Sequence, residues 1–312
     1  MRVFVAGGTG ALGRPFIAAL RAAGHAPTVM TRRPDRAAAL RDAGVEAVVA
    51  DAFDAAAVRG AVVAARPEVV VHQLTAIPER LQPHRYAELL EPTNRLRRET
   101  IGTFARAAAE AGTRRLIAQS VAFMLRPQGG WVKDETAPLW TDAPGGTRNA
   151  VDALRVLEDT TLGTGGVEGV VLRYGFFYGP GTTYAPGGYF AEEVRRRRFP
   201  IVGEGSGRFS FIHVDDAAAA TVLALDHSGP GIYHVTDDEP APARDWVPAM
   251  AAAMGAKPPH RVPLWLARLG AGSTAATMTS MRGASNAKAR EELGFAPRFS
   301  TYREGFRAVF AG

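Results

Sequence analysis

Residues 3–13 read Val-Phe-Val-Ala-Gly-Gly-Thr-Gly-Ala-Leu-Gly, an apolar run that passes abruptly through glycines into a helix-forming stretch. A strand that must turn straight into a helix leaves few architectures open. Glycines 7, 10 and 13 each answer a separate need of such a turn. The first permits the tight reversal, the second lets backbone approach a pyrophosphate, and the third lets helix and strand pack closely. The N–H groups and dipole of the following helix then face the phosphates. The loop, with Thr9, Ala11 and Leu12, is therefore expected to hold a dinucleotide.

The rest of the first half repeats this unit. Short β-branched runs at 3–6, 28–31, 47–50, 69–71, 115–118 and 170–173 alternate with alanine-rich helical stretches at 14–23, 34–43, 53–65, 97–111 and 150–162. Such alternation with short connections predicts an α/β fold, a doubly wound parallel sheet covered on both faces. Residues 174–200, rich in glycine, proline and aromatics, break the period. It resumes with a strand at 209–213, a helix at 217–225 and a strand at 232–235, after which helices and proline-rich turns dominate. The expected division is a Rossmann domain of residues 1–173 plus 209–236 and a smaller, mostly helical substrate lobe of residues 174–208 plus 237–312.

Bulk properties remove several classes. The chain of 312 residues is 46% hydrophobic and 22% charged, as ordinary globular proteins are. No run of eighteen apolar residues is present and the N-terminal apolar run is too short for a signal segment, so a cytoplasmic location without membrane contact is expected. With no cysteine, there is no disulfide, thiol nucleophile or cysteine-bound metal, and no metal site is expected. The net charge of +6 comes from 34 arginines and only three lysines. The arginines at 195–198 close an expected helix, where they complement its dipole. No basic stripe interleaved with aromatics points to nucleic acid. The expected partner is a small molecule, and a homodimer is compatible with the composition.

The second strand ends Met30-Thr31-Arg32-Arg33. An acidic residue there would accept ribose hydroxyls; a small hydroxyl followed by two guanidinium groups suits a 2′-phosphate, and hence NADP. Asp51, after the third strand, is placed to accept from the adenine amino group.

These blocks resemble the extended short-chain dehydrogenase/reductase family, its NAD(P)-dependent epimerase/dehydratase group, along nearly the whole chain. The resemblance rests on residues 7–13, Asp51-Ala52, the run from Val71 through His72, Gln73, Leu74 and Thr75 to Ala76, Leu172-Arg173-Tyr174 with Tyr178-Gly179-Pro180-Gly181, residues 208–216, and Ser285-Asn286-Ala287-Lys288 before Glu292-Leu293-Gly294-Phe295. It implies that Ala52, Gln73, Leu74 and Thr75 join the cofactor site. It also implies a Ser/Thr after the fifth strand and a Tyr-x-x-x-Lys on the next helix, whose lysine and cofactor lower the tyrosine pKa for proton transfer. The lysines are Lys133, Lys257 and Lys288, and four residues before them stand Gly129, Ala253 and Ala284. No Tyr-x-x-x-Lys exists in the chain. In register with Glu158, Ala150 and Leu154 occupy the two positions. The usual serine position falls on Val121, with Ser120 one residue earlier and, on a strand, facing the other side unless the strand end is irregular. The helical asparagine position gives Glu99, with Asn94 about a turn upstream.

Replacement proton donors are sought in Tyr174 and Tyr178, in the loop after the sixth strand, and in water near Ser120. His72 and His213 are read as structural. Arg208 is expected to meet an anionic substrate group or to hold Asp215 or Asp216. Phe123, Met124, Phe176 and neighbouring aromatics suggest an apolar substrate pocket. Three functions follow, in descending order: an NADPH-dependent reductase of a hydrophobic or aromatic ketone, enone or imine, as in secondary metabolism; a redox-neutral isomerase, dehydratase or cyclase that retains NADP; and a non-catalytic dinucleotide sensor.

Overall fold

Seven parallel strands carry the molecule: β1 (Arg2–Ala6), β2 (Ala26–Thr31), β3 (Glu46–Val49), β4 (Val69–His72), β5 (Arg115–Val121), β6 (Glu168–Tyr174) and β7 (Gly231–Val235). In this computed structural model, which describes residues 1–226 and 229–311, they stand in the order β3-β2-β1-β4-β5-β6-β7. The order reverses between β1 and β4, which opens a crevice at the carboxyl ends of those strands, the usual ligand position in such sheets. Gly7 follows β1 and Gln73 follows β4, so the reversal brings the glycine turn and the 73–75 segment together.

The strand period of two distributes the core. Val3 and Val5 pack with Phe16 and Ile17 of α1 (Gly13–Ala22) on one face. Phe4 and Ala6 face the opposite layer, with Val58 and Val62 from a helix over Ala55–Ala65 and Phe104 from one over Ile101–Glu110. Between α1 and those helices lies α2 (Pro34–Asp42); the Ala55–Ala65 helix is α3. Next come α4 (Tyr86–Arg95), α5 (Ile101–Glu110) and α6 (Thr147–Leu162). The helices that follow are α7 (Tyr189–Arg195), α8 (Val214–Asp226), α9 (Ala243–Ala253), α10 (Leu264–Ala271), α11 (Ser273–Ser280), α12 (Ala287–Leu293) and α13 (Tyr302–Phe310). A separate aromatic core built on Tyr178, Tyr184, Phe209, Phe211, Trp246, Tyr302 and Phe306 joins α9 and α13 to the excursion after β6.

Two expected elements differ. The helix expected over 97–111 is α5 preceded by a π-helical turn, Leu96–Thr100, that continues α4. The strand expected over 209–213 breaks at Ser210. Arg208–Phe209 pairs antiparallel with Ala241–Pro242, whereas Phe211–His213 pairs parallel with Phe176–Tyr178. Ser210 serves the break: its Oγ accepts from Ala284 N at 2.8 Å. The arginines at 195–198 are tied back locally, Arg195 and Arg196 to Glu192 and Arg198 to Glu193, while Arg197 donates to Pro258 O. Among the described residues no helix is long and apolar enough to cross a membrane, and no His/Asp/Glu group could hold a metal ion.

Candidate active site

A cleft of about 900 Å³ runs from the α1 N-terminus along the carboxyl ends of β1, β4 and β5 to the segment after β6. Its first half is backbone. Gly7 has φ +103°, and a Cβ there would stand 2.6 Å from Gln73 O; a Cβ on Gly13 would stand 2.3 Å from Gly7 O. Either would push the turn apart. Gly10 differs, since its nearest protein atom would be Gly7 O at 3.6 Å, so the side of the loop facing the cleft is open for something other than protein. The first turn of α1 has no side-chain cap and no acidic residue, so its N–H groups and positive end stay available. Gln73 is buried on the cleft, and both polar atoms of its amide lack partners among the described residues. An open glycine loop, a free helix end and an orphaned amide are features that a dinucleotide would complete.

At the outer end, Thr31, Arg32, Arg33, Asp51 and Ala52 all line the cleft. Arg33, which precedes α2, is forked onto Asp35 in its first turn, with Nη2–Oδ2 at 2.6 Å. Arg32 has no ion pair among the described residues. Arg36, which the sequence reading missed, reaches across to donate to Thr9 Oγ1 at 3.1 Å. Asp51 accepts from Phe53 N at 2.9 Å.

The inner half is walled by side chains. Phe123 and Phe176 stack with centroids 4.0 Å apart at 13°, and Met124, Ala150 and Leu154 line the same space. Ala150 and Leu154, which the sequence reading expects at the Tyr and Lys positions, thus present small and apolar groups to the cleft. Ser120 is buried and donates to Glu158 Oε1 at 2.5 Å, and Arg173 grips the same carboxylate at 2.9 and 2.6 Å. Its hydroxyl is committed to that network.

The hydroxyls of the two expected tyrosines are taken up outside the cleft. Tyr174 is buried, its hydroxyl 2.7 Å from Thr221 Oγ1 on α8, and burial pushes its pKa up. Tyr178 does not line the cleft. Its phenol lies against Gly305 of α13, where a Cβ would meet the hydroxyl, and burial raises its pKa strongly, with further push from Asp237 and Asp216. Tyr174 lines the cleft with its hydroxyl engaged by Thr221, whereas the parallel pairing of Phe176–Tyr178 with Phe211–His213 directs Tyr178 into the second core. Arg208 also lies off the cleft: it donates to Pro240 O at 3.1 Å, and Asp216 is held instead by the backbone N–H groups of Arg298 and Phe299. The expected role of Arg208 toward substrate or these aspartates is therefore corrected. His72 is a core residue, Nε2 2.9 Å from Thr100 Oγ1, its pKa pushed down by burial to about 4.

Arg97 is the second residue that sequence reasoning missed. It stands on the π turn, is 7% exposed, and lines the inner cleft without an ion pair or side-chain hydrogen bond among the described residues. Burial pushes its pKa down to about 10, against the smaller opposing pull of Tyr86 and Glu158. A signal existed. Thr93, Arg97, Thr100, Ile101 and Phe104 share the buried helical register, so an arginine occupies a stripe position that ordinarily faces the interior.

Comparison with known proteins places this geometry. The profile of the NAD dependent epimerase/dehydratase family matches residues 3–236. A "3-diazoavenalumate denitrifying reductase" from a Streptomyces species is 47% identical over 307 residues, covering 98% of this chain and 99% of that protein. A "ceramide reductase" from Caulobacter vibrioides is 30% identical over 267 residues, covering 82% of this chain and 71% of that protein. Among solved structures, the dTDP-glucose 4,6-dehydratase DesIV of Streptomyces venezuelae, with NAD and TYD bound, superposes with a TM-score of 0.76 at 20% identity, over 100% of this chain and 96% of that one. The last shows the shared fold.

Proposed function

The chain belongs to the NAD-dependent epimerase/dehydratase family, which implies NAD(P) binding, and from that premise we propose that it is an NADPH-dependent reductase of a hydrophobic aromatic secondary metabolite. The observation that carries the reading is the cleft itself, in which a dinucleotide cradle meets a stacked Phe123–Phe176 wall and no lysine lines the space. Glycines 7, 10 and 13, the α1 N-terminus, Asp51 and Gln73 would hold the dinucleotide, with Arg32 and Arg36 favouring the 2′-phosphate. When bound, NADPH supplies hydride. Phe123, Met124 and Phe176 orient the aromatic substrate and exclude water.

The similarity to the denitrifying reductase supports a particular electrophile, an aryl carbon bearing a diazo group. In the cationic diazonium form, exchanging dinitrogen for hydrogen forms one C–H bond with hydride, the C–N electron pair departs with N2, and the hydride cancels the positive charge. The balance requires no proton. Ala150 and Leu154, which cannot pass one, then cost the reaction nothing. The similarity to the ceramide reductase favours a second reading, reduction of a carbonyl or enone, which would need an acid such as water near Gln73.

Purified protein, NADPH and two substrate panels separate these. Diazo-substituted aryl acids are expected to drive loss of NADPH absorbance and release of N2, with aryl ketones and enones slow. Consumption with the carbonyl panel alone would establish the second reading. No consumption with either would remove the reductase assignment.

A further inference from the structure

Arg97 poses an electrostatic problem that the protein alone does not solve. The residue is more than nine-tenths buried, its exposed remainder faces the cleft, and among the described residues nothing pairs with its guanidinium. The acid that acts on it, Glu158, already accepts from Ser120 and from Nε and Nη2 of Arg173. Two guanidinium groups share one carboxylate, and one arm of Arg173, Nη1, also lacks a partner. The other titratable neighbours bring no negative charge: burial keeps His72 neutral and raises the pKa of the Tyr86 phenol. An unmatched buried charge is costly, and chains retain one where a ligand completes it. The π turn supplies the local reason for its direction. An inserted residue shifts the register between α4 and α5, and such turns recur at functional sites.

We propose that Arg97 is the substrate-anchoring residue of the cleft and that the substrate is an aromatic acid, its carboxylate received by this guanidinium while its ring lies in the Phe123–Phe176 compartment. This rests on the reading of the cleft as an apolar small-molecule site. A planar guanidinium receives a carboxylate through two parallel hydrogen bonds, which orients the acid as well as holding it. Specificity follows, because a neutral analogue would leave the buried cation unmatched.

Calorimetry on the full chain saturated with NADP+ tests this with cinnamate and its neutral counterpart cinnamamide, on wild type, Arg97→Met and Arg97→Lys. Cinnamate is expected to bind wild type at least about tenfold more tightly than the amide, the scale of a charged hydrogen bond. R97M should abolish that preference and leave the NADP+ affinity within about twofold. R97K should keep part of the preference. Because R97M removes an unmatched buried charge, its melting temperature should rise by at least about 2 °C, a response that a merely structural arginine would reverse. Equal affinity of the two probes for wild type, or a preference that survives in R97M, would overturn the assignment and leave the apolar cleft standing. So would a lower melting temperature for R97M, or a loss of NADP+ affinity, which would give Arg97 to the dinucleotide. Failure of both probes to bind would overturn the assignment together with the aromatic reading of the cleft.

Discussion

The two ends of the cleft are built by different means. The outer end is backbone and exposed charge: a glycine turn, a free helix N-terminus, and arginines that reach in from solvent. The inner end is a wall of stacked rings, two apolar residues on α6, a buried Glu158–Arg173 pair and the unpaired Arg97. Backbone hydrogen bonding fits the invariant part of a ligand, its phosphates. Packed side chains fit the part that differs among family members. Substitutions should therefore act in opposite ways at the two ends, altering stability at the inner end and cofactor choice at the outer.

The largest effect is expected at the inner cluster. Glu158→Ala leaves Arg173 buried without its partner and should cost about 3–5 kcal/mol in chemical denaturation. Unchanged stability would mean that the cluster is wet and the ends are not so different.

His72, on the same side, should give the protein an acid-sensitive core. Its folded pKa of about 4 lies below the unfolded value of about 6.5, so the unfolded chain takes up the proton first as pH falls. Stability is complete above about pH 6.5 and is lost progressively toward pH 4, by about 3 kcal/mol for this group. His72→Gln should flatten that part of the stability profile.

At the outer end, Arg36→Ala should fold normally and lower the preference for NADPH over NADH by about tenfold, read as a change in the ratio of Kd values. The smallest effects belong to the phenols. Tyr174→Phe should cost about 1 kcal/mol through the lost Thr221 contact. Tyr178→Phe should be nearly neutral, because its hydroxyl has no partner among the described residues. Neither should change kcat by more than about twofold. A hundredfold loss in either would return proton transfer to these tyrosines.

The same division explains what could be read before the structure. Gly7, Gly10 and Gly13 state their purpose through local spacing, as does the change from strand to helix period along β1 and α1, so the sheet and the cradle were legible. Phe123 and Met124 were legible as apolar wall because they follow directly on a strand that ends at the cleft. Tyr178 and Arg208 were not. Their positions depend on the Ser210 break, which pairs two adjacent segments with different partners, and no local pattern encodes that. Arg97 depended on a π turn of a single extra residue. Its polar intrusion on a buried stripe was visible, but the direction it faces is set by packing between α4, α5 and α6.

Isotope labelling tests the central claim most directly, that hydride alone is transferred to an aromatic carbon with no proton from the protein. An aryl diazo acid is turned over with NADPH deuterated at the transferring C4 position, in ordinary water. The account predicts one deuterium at the carbon that carried nitrogen, one NADP+ per N2, and a rate that does not fall in D2O. Hydrogen from solvent at that carbon, or N2 release without NADPH oxidation, would contradict it.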